Sequence, residues 1–67
     1  MTITLSYEEH VAKSGVTIFV ERVQVKISLP YFTPPLWRYG IILNGHAYEH
    51  RSGLRIKPNV KRLIEMY

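Results

Sequence analysis

The chain has no cysteine, which excludes both a disulfide framework and a thiolate metal site. No apolar run approaches the roughly 20 residues that a membrane-crossing helix needs. The opening Met1-Thr2-Ile3-Thr4-Leu5-Ser6-Tyr7-Glu8-Glu9 has neither the basic stretch nor the continuous apolar core of a secretory signal. Both absences predict a cytoplasmic protein that stays out of the membrane. Repeats and low-complexity tracts are missing, and Gly15, Gly40, Gly45 and Gly53 stand too far apart to cradle a phosphate. Zinc-ligand spacing and a nucleophile elbow are missing as well, so the sequence assigns no catalytic residue, metal ligand or cofactor.

What the chain does have is 67 residues and 46% hydrophobic content, enough for one folded domain over 1–67. A domain of that length buries only about 60% of the surface its unfolded chain exposes, so self-association as a homodimer would add burial that it lacks. The formal charge is +4 and uneven: residues 1–33 carry three basic and three acidic side chains, residues 34–67 six and two. An excess of that kind suits an anionic partner.

The strongest local signal is Trp37 to Arg51. Asn44-Gly45 lies between two alternating apolar runs, and a type I′ turn needs positive φ at both central residues, which Asn and Gly tolerate best. With Leu43 facing His46, one face of this hairpin carries Trp37, Tyr39, Ile41, Tyr48 and His50. The other carries Arg38, Gly40, Ile42, Ala47, Glu49 and Arg51, and unbroken alternation puts Arg38 opposite Arg51.

Around the hairpin, Thr2 to Leu5 alternate as a strand. Ser6-Tyr7-Glu8-Glu9 has the form of a capping box, which with Gly15 as terminator predicts a short helix over 7–14. Val16 to Leu29 reads as a long strand whose odd positions are apolar except Glu21. Pro30-Tyr31-Phe32-Thr33-Pro34-Pro35 reads as a stiff loop outside the sheet. Arg51-Ser52-Gly53 then reads as a tight turn and Leu54–Lys57 as a short last strand. Asn59 caps a C-terminal helix with Val60, Leu63, Ile64 and Tyr67 on one face. The expected fold is therefore α+β: a strongly bent antiparallel sheet of four to five strands, with the hairpin at its centre, a short N-terminal helix and a C-terminal amphipathic helix. The alternative is a small SH3-like β-barrel.

Three sets of residues carry candidate chemistry. Arg22, Lys26, Arg38, Arg51, Lys57, Lys61 and Arg62 form a basic set suited to phosphate contacts. Like charges opposed across a hairpin are unfavourable, so Arg38 calls for an anion, either Glu49 or a partner's phosphate. Tyr31 and Phe32 are aromatic anchors for a protein partner. His46, Glu49, His50 and Arg51 are residue types a small ribonuclease uses, but Glu49 and His50 project to opposite faces, and His46 and His50 lie about 13 Å apart along a strand. The leading expectation is a small non-enzymatic, basic module contacting nucleic acid. The second is a protein-directed adaptor or inhibitor using Tyr31, Phe32 and an open sheet edge. A small ribonuclease is the third.

Overall fold

The computed structural model describes residues 1–28 and 31–67, with side chains for 1–26 and 33–67. Five strands and one helix follow in order: β1 (Thr2–Val11), β2 (Thr17–Ser28), β3 (Tyr31–Phe32), β4 (Leu36–Leu43), β5 (His46–Leu54) and α1 (Val60–Met66). The sheet runs β1-β2-β4-β5, antiparallel throughout, and β3 pairs with the far end of β2. In β content the fold lies nearer the barrel alternative than the two-helix α+β expectation. Among the described residues, however, β1 and β5 do not pair with each other, so both are edges. No helix among the described residues is long and apolar enough to cross a membrane.

The expected N-terminal helix is absent. Residues 7–11 continue β1 and pair with Glu21 to Thr17 of β2, and Ala12 to Val16 make the turn, with the Gly15 N–H donating to Ala12 O at 2.9 Å. A capping box stabilises a helix by local hydrogen bonds only. Here the same residues gain a full ladder, and the Tyr7 ring lies parallel to Phe19 with centroids 6.3 Å apart, a contact no local pattern announces. Gly15, expected to terminate that helix, instead sits in the turn of a hairpin.

Three further expectations change. The hairpin β4–β5 lies at one side of the sheet, and the central strands are β2 and β4. Tyr31 and Phe32 remain in register with β2, opposite Ser28 and Lys26. The Thr33 N–H donates to Val25 O at 2.9 Å, and the Val25 N–H donates to Thr33 Oγ1 at 2.9 Å, so the Pro-flanked segment is held to the sheet. β5 continues through Ser52 and Gly53 to Leu54, with one irregularity on the way, and no strand forms over 55–57.

The turn itself forms as read, with φ of 52° at Asn44 and 79° at Gly45. Pairing is regular from Leu43–His46 to Gly40–Glu49. It then slips twice, first so that Tyr39 opposes Arg51 and again so that Trp37 opposes Leu54. The first slip removes Arg51 from Arg38 and turns it to the other face.

Opposed residues share a face, which divides the sheet cleanly. One face has the rows His10–Ile18–Ile41–Tyr48 and Glu8–Val20–Tyr39–Arg51. Here lies the core, in which Ile18, Val20, Tyr39 and Leu63 are buried and Trp37, Leu54, Val60, Ile64 and Tyr67 pack around them. Helix α1 covers this face as its 3.6-residue periodicity predicts. Asn59 caps it, its side chain accepting from the Arg62 N–H at 3.2 Å, and the Lys13 N–H donates to Ile64 O at 2.8 Å, tying its C-terminal end to the first hairpin.

The opposite face has the rows Glu9–Phe19–Gly40–Glu49 and Tyr7–Glu21–Arg38, with no helix over them. Helix and sheet form a slab 16 Å thick and 43 Å long. Its radius of gyration, 13.0 Å, exceeds the roughly 11 Å expected for a compact chain of this length.

Candidate anion-binding surface and the opposing face

Of the basic residues singled out in the sequence, Arg22, Arg51 and Lys57 lie on the covered face, Lys26 follows by alternation along β2, and Lys61 and Arg62 are on α1. Arg38 alone points to the open face, where its Nε donates to the Glu21 carboxylate and Nη1 lies 3.6 Å from Glu49 Oε1. The anion that Arg38 calls for is thus supplied within the chain, by Glu49 and by a second residue, Glu21, that sequence reasoning treated only as an interruption. A carboxylate breaking an apolar alternation is the signal that pointed to it. Its partner depends on the β2–β4 register, which places Glu21 directly opposite Arg38.

On the covered side, a groove of about 360 Å³ runs between α1 and β5, lined by Tyr39, Arg51, Leu54, Asn59, Arg62 and Leu63 among others. The bulge in β5 brings Arg51 here, and the first turn of α1 brings Arg62. No carboxylate lines this groove among the described residues, and neither guanidinium has an acidic partner there. The floor is apolar, from Tyr39, Leu54 and Leu63, and two exposed arginines stand at its rim.

Next to it, Trp37 carries two cations near its ring: Arg22 at 5.7 Å and Lys57 at 5.6 Å from the centroid. Lys57 also reaches Glu8, with Nζ 3.0 Å from Oε1, and His10 Nε2 lies 3.5 Å from the same oxygen. The Glu8 carboxyl is held below its ordinary value, chiefly by the hydrogen bond from Lys57; partial burial opposes the shift, and the charges of Lys57 and His10 reinforce it. Oε1 points inward and is enclosed, whereas about a third of the side chain remains exposed.

At the other end of α1, His50 Nδ1 and the Tyr67 hydroxyl are 2.6 Å apart. Burial pushes the Tyr67 phenol above its ordinary value, and Tyr39 nearby adds to the rise. The ribonuclease set is not assembled: Glu49 is on the open face with Arg38, Arg51 lines the groove on the other side, and His50 is joined to Tyr67. Tyr31 and Phe32 form β3, but their side chains fall outside the described residues. Of the aromatic stripe, Tyr39 is core, Trp37 is half-buried and Tyr48 is 52% exposed. The chain matches no family model, no curated protein and no solved structure, so its function has to be argued from this geometry.

Proposed function

We propose that the protein is a non-enzymatic binding module that contacts the phosphate backbone of a nucleic acid with the side of the sheet carrying α1. The observation that carries this reading is the convergence of Arg51 and Arg62 on one groove whose lining contains no carboxylate. A guanidinium presents paired N–H donors that match phosphate oxygens, and an unneutralised pair on an apolar floor is what a bridging phosphate fits. Arg22 beside Trp37 and exposed Lys61 on α1 extend the positive surface along the same side, where Lys57 is shared with Glu8. Arg38 is not part of it, because its charge is matched by Glu21 and Glu49.

Binding of this kind releases condensed counterions, so affinity falls linearly in log salt, with a slope near 0.9 per phosphate contact on duplex and about 0.7 on single strands. The test is a titration with mixed-sequence single-stranded and duplex oligonucleotides at low and physiological salt, followed by Trp37 fluorescence and by anisotropy of labelled nucleic acid. Arg51→Ala and Arg62→Ala should each reduce the slope by roughly one unit. Arg38→Ala should leave the slope unchanged. No binding at low salt, or an equal loss from Arg38→Ala, would overturn the reading.

A further inference from the structure

We propose that the open face of the sheet docks an extended protein segment with two Lys or Arg residues four positions apart and an aliphatic residue midway between them. The open face differs from the rest of the molecule in charge. The chain carries nine basic and five acidic side chains, yet the paired rows of this face hold Glu9, Glu21 and Glu49 against Arg38 alone. It also has an apolar centre. Tyr7, Phe19, Glu21, Arg38, Ala47 and Glu49 line a depression of about 320 Å³. Tyr7 is 50% exposed and Val11 66% exposed, so apolar surface remains for a partner to cover.

The surface is already ordered before anything docks. Phe19 is 4% exposed although no helix covers it, because it lies over Gly40 and against Tyr7. The Glu21–Arg38–Glu49 ion pairs wall one side of the depression. Fixed side chains lose little entropy on association, which favours docking at such a site.

The spacing of the partner follows from the row Glu9–Phe19–Gly40–Glu49. It crosses all four strands, so the outer carboxylates stand three inter-strand gaps apart, about 14 Å. An extended segment laid across the strands advances about 3.4 Å per residue and points alternate side chains to one side. Positions i and i+4 are then about 14 Å apart. Cations there meet Glu9 and Glu49, and the residue at i+2 lands in the centre on Phe19. The exposed carboxylates supply complementarity, and Tyr7 and Ala47, which flank Phe19 and remain exposed, supply the apolar area to cover.

The test uses the full chain and the synthetic segment Lys-Thr-Leu-Thr-Lys in a blocked peptide, followed through backbone amide shifts. A peptide with Glu in place of both Lys and one rearranged to Lys-Lys-Thr-Thr-Leu are the comparators. The expected result is shift changes confined to the open face, at Phe19, Gly40, Ala47 and Glu49, from the first peptide alone. The double variant Glu9→Gln/Glu49→Gln should weaken it about fivefold while its amide spectrum shows the fold retained. The proposal is overturned by no shifts at millimolar peptide, by equal shifts from either comparator, by shifts on the α1 side, or by sedimentation showing this face occupied by a second copy. None of these peptides carries a phosphate, so the outcome is independent of the oligonucleotide titration.

Discussion

The two faces of this sheet bury side chains by different means. On the covered face, Ile18 and Val20 reach zero exposure because α1 lies over them, and the residues that achieve it are ordinary aliphatic ones. On the open face, Phe19 and Glu21 are almost as inaccessible, at 4% and 5%, yet the cover comes from the sheet itself. It needs an aromatic neighbour, an opposed arginine and a position without a side chain. A face covered by a second layer tolerates changes of shape in small increments. A face that covers itself depends on a few contacts, each of which has to be in place.

The sharpest way to break this contrast is Gly40→Ala. A Cβ there would collide with the Tyr48 carbonyl oxygen and stand 2.9 Å from Phe19 Cε1. Because the first obstacle is backbone, β4 and β5 must part. The expected loss exceeds about 3 kcal/mol, a large part of the few kcal/mol a chain this size holds. Urea denaturation should show the variant largely unfolded. The corresponding change on the covered face is Leu63→Ala, which removes a buried side chain from α1 and should cost about 3 kcal/mol. Its distinguishing mark is local: the Lys13 amide, which donates to Ile64 O, should lose hydrogen-exchange protection before the strands do.

A smaller effect sharpens the comparison. Arg38→Met leaves Glu21 buried without its partner and should cost about 2 kcal/mol, below the usual figure for a buried pair because Arg38 is 39% exposed. Adding Glu21→Met removes the unpaired charge, so the double variant should recover much of the loss in a thermal double-mutant cycle. No recovery would mean that the ion pair stabilises the open face beyond satisfying itself.

The smallest effect is on the covered face and depends on pH. Glu8 is held below its ordinary value of 4.5, so its contribution is fully present above that value and is lost as pH falls through the lowered one. Glu8→Gln should lower stability slightly at neutral pH, only slightly because the side chain is a third exposed, and match the parent once the carboxyl is protonated, so that the profile is flat through that acid window.

How much of this was legible follows the range of the interactions. Asn44-Gly45, the Asn59 cap and the Val60, Leu63, Ile64, Tyr67 face depend on neighbours within about one turn, and all three form as read. The 7–14 helix fails because its evidence was local, whereas its competitor, pairing with β2, joins residues up to 23 positions apart such as Thr2 and Val25. The bulge at His50 and Arg51 leaves no trace in the alternation, so the Arg38–Arg51 opposition follows from the pattern and is absent from the fold. That single slip separates the candidate site: Arg51 joins Arg62 at the groove, and Arg38 stays with Glu21.

The register slips also bear on growth into fibres. β1 carries one between Thr4 and Ser6, and β5 carries two, between Glu49 and Arg51 and between Arg51 and Leu54, so each outer strand is interrupted. A strand from another molecule pairing along His46–Glu49 would meet the bulge after about four residues, too short a run to hold an edge-to-edge stack. The two borders therefore differ: β1 still offers six regular positions, Ser6 to Val11, to an incoming strand, so templated growth would start there rather than on β5.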